Sequence, residues 1–387
     1  MPVGTKRVLD EKSFANFLSL LSTAGYRTIG PRVRDGGIVY SDVATPHDFP
    51  IGFASDQEGG RCKLVAGGAP GAFFSYVIGG STWKRYLFPP SQKILEGKRV
   101  GKSFTLAPPA GEEKPYAFIG VRPCELAAIK IQDKVFGYGH EANPEKGIHS
   151  DPAYIKRRSE AFLVVVNCSV AGRTCFCTSM GGDVAAKEDA GYDVALTEVI
   201  EEKKHHFIAV AGSERGAKIL DQLALHEAST ADIHDAEAAT AKARKQIHRS
   251  MVKDVKDLLQ RNLRNPRWAV AAERCLACGN CTMVCPTCFC TTVEDTTDLA
   301  GDHTARVRSW DSCFTMDFSF IHGGSLRRSV KSRYRHWMTH KLANWHDQFG
   351  MSGCVGCGRC IAWCPAGIDI TEEAHAIEKN DGQIADP

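Results

Sequence analysis

The sequence predicts an α/β N-terminal domain with a mostly parallel sheet, a helical linker, and a C-terminal α-helical domain of dicluster ferredoxin-like type with an insertion. Three observations carry this. Residues 116–167 read as strand, helix, strand; residues 214–263 are polar, Ala-rich and helical in pattern; and the C-terminal third holds two copies of C-x-x-C-x-x-C-x-x-x-C-P. The expected boundaries are 1–213 for the α/β domain, 214–264 for the connector and 265–387 for the cysteine-bearing domain, with an insertion over 287–353.

At 387 residues the chain is long enough for several cores, so its 16 cysteines are not needed to staple a small fold. Metal or redox chemistry is the economical reason for them. The N-terminal stretch MPVGTKRVLDEKSFANFL carries charges where a signal peptide would place an apolar run, and no later window is long and apolar enough to span a membrane. The expectation is a soluble, cytoplasmic chain whose thiols stay reduced and free to act as ligands. Net charge is only +3, which favours no class of partner, although six Lys or Arg and no acid lie between Arg327 and Lys341. That basic run reads as a solvated helix face, a docking surface, or positive charge near a reduced cofactor; alone it does not make a nucleic-acid binder.

In chain order, FANFLSLLSTAG is helical, and YAFIGV from residue 116 is an apolar run of strand length. RPC makes a turn and ELAAIKIQDKVF has helical spacing, before a second buried strand in AFLVVVN at 161–167. Strand, helix, strand implies a right-handed crossover between parallel strands that end at one sheet edge. YDVALTEV and HFIAVAG supply further strands. Asn265-Pro266 caps a short helix, RWAVAAE, that delivers the chain to Cys275.

The two motifs are Cys275, Cys278, Cys281, Cys285-Pro286 and Cys354, Cys357, Cys360, Cys364-Pro365. At this spacing three thiolates on a tight loop take three corners of one cubane, and the fourth, beyond the turn, ligates the other. One 4Fe-4S cluster is therefore expected on Cys275, Cys278, Cys281 and Cys364, and a second on Cys354, Cys357, Cys360 and Cys285. Gly279, Gly356 and Gly358 would let the backbone approach the sulfurs. A pair of zinc sites is the competing reading, disfavoured because zinc motifs rarely add the third and fourth cysteines and the terminal proline. The motifs are split by 68 residues, 286 to 353, which contain Cys288, Cys290 and Cys313, read either as buried thiols or as ligands of something unnamed.

A third 4Fe-4S cluster is the bolder expectation. Cys124 and Cys168 should emerge at the same sheet edge, joined by Cys175 and Cys177 from the following loop; buried free thiols are the alternative. Cys62 is expected to be a core or loop thiol. Gly97 to Ser103 resembles a P-loop one residue short, and no nucleotide fingerprint accompanies it. His336 and His340 are one helical turn apart but lack the acidic neighbour of a metalloprotease.

GVRPCELAAIKIQDKVF, NCSVAGRTCFCTSMGG, the split dicluster motif and WDSC followed by IHGGSLRRSVKSRYRHWMTHK together resemble the beta subunit of soluble sulfhydrogenase-type NiFe hydrogenases. The chain is also similar to the iron-sulfur electron-transfer subunit of anaerobic sulfite reductase. The PCELAAI segment is similar to a cysteine-bearing turn of coenzyme-F420-reductase beta subunits, which favours the third cluster. The resemblance implies a non-catalytic iron-sulfur subunit. It would relay single electrons between NiFe hydrogenase large and small subunits and a subunit binding flavin and NAD(P), in a hetero-oligomer without nucleic acid or membrane. The alternatives are the same wire feeding a sulfite reductase, or a flavin-binding oxidoreductase subunit.

Overall fold

The computed structural model describes residues 1–77, 79–109, 114–140, 149–201 and 204–384. Fourteen strands matter to the architecture. In the N-terminal half they are β1 (Lys6–Leu9), β2 (Arg27–Arg34), β3 (Gly37–Asp42), β4 (Phe53–Glu58), β5 (Arg61–Ala66), β6 (Ser91–Val100), β7 (Ser103–Ala107), β8 (Tyr116–Val121), β9 (Phe162–Val166), β10 (Val194–Glu201) and β11 (Lys204–Ala211). β12 (His226–Glu227), β13 (Thr291–Thr297) and β14 (His303–Trp310) follow.

Eight of them form one sheet in the order β12-β1-β11-β10-β9-β8-β2-β3. β8 and β9 are buried along their whole length, as central strands covered on both faces must be. They run parallel, joined by the expected crossover through the helix Pro123–Val135. The sheet is mixed, however, not mostly parallel: β2 with β8, β8 with β9 and β9 with β10 are parallel, and the other four pairings are antiparallel. The reason is local. β2–β3 and β10–β11 are hairpins, which can only pair antiparallel, and β1 then adds antiparallel to β11. The helix Glu11–Thr23 starts where the Asp10 side chain accepts from the Ser13 N–H, and it buries Phe14, Phe17, Leu18 and Leu21 against the sheet.

Residues 214–264 depart from a continuous helical connector. They form helices Glu214–Leu220, Thr230–Lys245 and Val255–Arg261, and between the first two β12 returns to pair with β1. The middle helix starts at a capping box of Ser229 and Asp232 and packs Ala236 with Val8, Val199 and Ile208.

The C-terminal region is not purely α-helical either. Its insertion opens with the β13–β14 hairpin, and β14 pairs with β6, so that β13-β14-β6-β7 is one sheet built from both halves of the chain. Threonine- and valine-rich alternation in TTVEDTT and HTARVRSW favours strand over helix. The P-loop-like segment is the β6–β7 hairpin, turned at Gly101 with φ of +62°. Two cores result. One fills the eight-stranded sheet and its helices; the other gathers Trp268, Phe314, Trp337, Met338, Leu342 and Ile361 around the C-terminal cysteines. Among the described residues, no helix is long and apolar enough to cross a membrane.

Candidate iron-sulfur centres

The two motifs fold alike, residue for residue. Asn265 accepts from the Arg267 N–H at 3.0 Å and starts the helix Arg267–Arg274 that ends at Cys275. Ala277 and Gly356, each two residues past the first cysteine of its motif, take φ of +51° and +67°. Their N–H groups turn back to Cys275 Sγ and Cys354 Sγ, both at 3.4 Å. Gly279 and Gly358, at φ of +74° and +73°, then open the short helical turns Asn280–Met283 and Arg359–Ala362 that carry Cys281 and Cys360. Only a residue tolerant of the left-handed region serves there.

Cys275, Cys278, Cys281 and Cys364 line one cavity, walled by Phe314, Tyr334 and Trp337, and Cys360 closes one side of it. The fourth cysteine of the second motif has thus crossed to the first. Cys354, Cys357 and Cys285 face Cys360 closely enough that, after burial, their charges hold its thiol well above the usual range. Cys278 is exposed, whereas the remaining motif cysteines are at least half-buried.

The N-terminal cysteines also converge. Cys124 does not end β8: Pro123 starts the crossover helix immediately, and Cys124 is that helix's second residue. Cys168 follows β9 by two residues and is held by its N–H to Val184 O at 2.8 Å. With Cys175 and Cys177 they line a single cavity whose far wall is Gly356, Cys357 and Arg359. The loop bearing Cys175 and Cys177 is docked on the second motif by Phe176 N–H donating to Gly356 O at 2.8 Å. The contact leaves no room for side chains: a Cβ on Gly358 would lie 2.2 Å from Thr174 O, and one on Gly356 2.6 Å from Cys177 Cα. Burial pushes the Cys175, Cys177 and Cys354 thiols up to about 12. Such thiols ionise only when a metal takes the place of the proton.

Buried cations stand beside these sulfurs, and sequence reasoning missed most of them. Arg359, 4% exposed, pairs with Glu125 at 2.7 Å, and Glu125 also accepts from Tyr40 Oη and Trp83 Nε1 at 2.5 and 3.1 Å. Burial works against the Arg359 charge, but Glu125 and the neighbouring thiols outweigh it. Arg122 donates to Phe74 O and Tyr76 O at 2.7 and 3.0 Å, on the wall of the N-terminal cavity. Lys341, from the basic run, is buried rather than solvated; its Nζ lies 3.3 Å from Cys285 Sγ, 3.0 Å from Thr287 Oγ1 and 3.1 Å from Gly353 O. Arg333, also buried, donates to Phe314 O at 3.0 Å. The only sequence signals were the nearness of Arg122 and Arg359 to cysteines and the basic run that holds Arg333 and Lys341, and neither separates a buried charge from a solvated one.

Other singled-out residues take ordinary places. Cys62, half-buried on β5, accepts from Gln57 Nε2 at 3.5 Å. His336 and His340 stack with ring centroids 5.4 Å apart, and burial lowers both to about 4.

Soft thiolate donors in sets of four, backbone N–H groups aimed at sulfur and buried positive charge are the donor chemistry of iron-sulfur clusters. Comparison with known proteins agrees. The 4Fe-4S dicluster domain family matches residues 274–368, spanning both motifs and the insertion. Sulfhydrogenase 2 subunit beta of Pyrococcus furiosus is 34% identical over 258 residues, which is 66% of this chain and 71% of that protein. No solved structure matches. Identity at that level across most of the relative, with the dicluster domain lying over both cysteine motifs, means that the chain belongs to the sulfhydrogenase beta-subunit family of iron-sulfur electron-transfer proteins.

Proposed function

We propose that the chain is a three-centre relay that moves single electrons between the large and small subunits of a NiFe hydrogenase and a subunit binding flavin and NAD(P). Cys275, Cys278, Cys281 and Cys364 would hold one 4Fe-4S cluster, Cys354, Cys357, Cys360 and Cys285 the second, and Cys124, Cys168, Cys175 and Cys177 the third. Such clusters supply one-electron redox chemistry when bound. Residues 1–213 and 265–387 would act together, tied by the 214–264 connector and by the sheet both halves share, in a cytoplasmic complex.

One observation carries the reading: two thiol-lined cavities flank the second motif. Cys360 lines the first cavity and Cys357 lines the N-terminal one, so the middle site abuts both neighbours. The residues of this chain supply position and field. Arg122, Arg359 and Lys341 would offset the negative charge that reduction adds, and the apolar walls shield the sulfurs other than Cys278 from water. The exposed Cys278, with Leu276 at 68% and Trp363 at 38% exposure beside it, makes the first site the surface terminus where a partner would exchange electrons. Among the described residues, no three of His, Cys, Asp and Glu are gathered tightly enough for a single ion. The third and fourth cysteines at these offsets, with the proline after the last, suit a cubane better than zinc.

The test is iron and acid-labile sulfide per chain on anaerobically purified protein, with low-temperature EPR of the reduced sample. About twelve of each are expected, four per cubane, falling to about eight in Cys168→Ser with the dicluster signals retained. Eight in the wild-type protein would remove the N-terminal centre. Strong hydrogen- or NAD(P)-dependent turnover by the isolated chain would refute the relay role.

A further inference from the structure

Cys288, Cys290 and Cys313 belong to none of the three proposed ligand sets, yet the fold brings them together. β13 and β14 pair with Thr291 opposite Trp310. The ladder continues past that pair, with Asp311 N–H donating to Cys290 O at 2.8 Å. The register sets Cys290 opposite Asp311, and the two residues that follow carry Cys313 back beside Cys290 at the open end of the hairpin. Both line one small cavity with Cys288, Trp337, Lys341 and Trp345. Cys313 is 6% exposed and Cys290 half-buried.

The thiols of Cys290 and Cys313 are close enough to act on each other directly, with the Cys313 backbone N–H on the side of the Cys290 sulfur. Within the proposed ligand sets the sulfurs act on one another only across space, as Cys275 does with Cys364 and Cys278, and Cys360 with Cys354 and Cys357. That difference is diagnostic. A cubane holds its ligands on separate iron corners, so two sulfurs in contact are not both its ligands; Cys290 and Cys313, neither of which belongs to a proposed ligand set, are free to bond each other. Cys288 touches the thiol of Cys285 and so stands between this pair and the middle centre, while Cys313 lies within electrostatic reach of Cys281.

We propose that Cys290 and Cys313 are a redox-active pair that interconverts between dithiol and disulfide, storing two electrons beside the one-electron relay. The proposal rests on the cluster assignment above, because the electrons enter and leave through the centre that includes Cys285. In the reducing direction the Cys290–Cys313 S–S bond breaks, each sulfur gains one electron and one proton, and two S–H groups form. The electrons arrive one at a time from the reduced 4Fe-4S centre and the protons come from solvent. In the oxidising direction the S–S bond forms, two protons leave, and two electrons return singly to the oxidised centre. Both residues are free thiols in this structure. Burial behind Trp337 and Trp345 separates the pair from soluble thiols and leaves the relay as its redox partner.

The test uses the full iron-loaded chain under anaerobic conditions, oxidised with thionine or reduced with dithionite, then quenched in acid with a thiol-alkylating reagent and mapped by mass spectrometry. A Cys290–Cys313 linked peptide is expected in the oxidised sample and both residues alkylated in the reduced one. Coulometric titration should return two more electrons per chain from the wild-type protein than from Cys290→Ser, with iron content unchanged by the substitution. Alkylation of both residues in the oxidised wild-type protein would overturn the proposal, as would loss of about four irons in Cys290→Ser, which would make the residue a cluster ligand. Failure of the relay reading has a different signature, a wild-type chain without iron, and it would take the electron source of the pair with it.

Discussion

Replacing Lys341 by Met should lower the reduction potential of the middle centre. The ammonium is buried and lies 3.3 Å from Cys285 Sγ, so it favours whichever state of the centre is more negative, the reduced one. Taking the ammonium as about 6 Å from the middle of a four-iron group and an effective dielectric of about 20, the Coulomb energy is about 3 kcal/mol. For a one-electron couple that is about 120 mV. Relaxation around the vacated Thr287 and Gly353 partners reduces it, so the expected fall is about 50–120 mV. EPR-monitored redox titration of the iron-loaded chain measures it directly. Lys331→Met is the control, because Lys331 lies in the same basic run but is exposed, where solvent screens its charge. A Lys341→Met potential within about 20 mV of the wild-type value, or above it, with iron content unchanged, would refute the assignment of Cys285 to that centre and the electrostatic role of Lys341.

Three further outcomes follow from the packing. Gly358→Ala should destabilise the chain by about 2–4 kcal/mol, from a left-handed φ and a Cβ driven into Thr174 O, and should release iron; denaturant unfolding and an iron assay check both. Arg359→Met leaves Glu125 buried without its cation and should cost about 3–5 kcal/mol, part of it recovered in the double variant Arg359→Met with Glu125→Gln; an unchanged denaturation midpoint would contradict the pairing. Burial holds His336 and His340 at about 4, below the 6.5 of the unfolded chain, so the unfolded state binds more protons between those values. Stability contributed by the neutral rings is full above pH 6.5 and is lost as pH falls toward 4, by at most about 1.4 kcal/mol per pH unit for each group. Denaturation midpoints at pH 7.5 and pH 5 should therefore differ less in His340→Gln than in the wild-type protein.

What the sequence determined by itself was whatever local spacing dictates. The doubled cysteine motif carried its own geometry, because the left-handed positions at Ala277, Gly279, Gly356 and Gly358 and the helical turns after them follow from residues adjacent in the chain. The β8–helix–β9 crossover was legible for the same reason, since buried strands and an amphipathic helix write their periods into contiguous residues. Long-range pairing decided the rest. No local signal says that β14 of the insertion joins β6, that β12 turns back to β1, or that the antiparallel edges make the large sheet mixed. Nor does composition separate a solvated lysine from Lys341, whose meaning comes from Cys285, 56 residues away, or an ordinary arginine from Arg359, matched by Glu125 across 234 residues. The same holds for Cys290 and Cys313. They are ordinary thiols in the sequence, and only the path of the chain past the last rung of the hairpin puts one sulfur against the other.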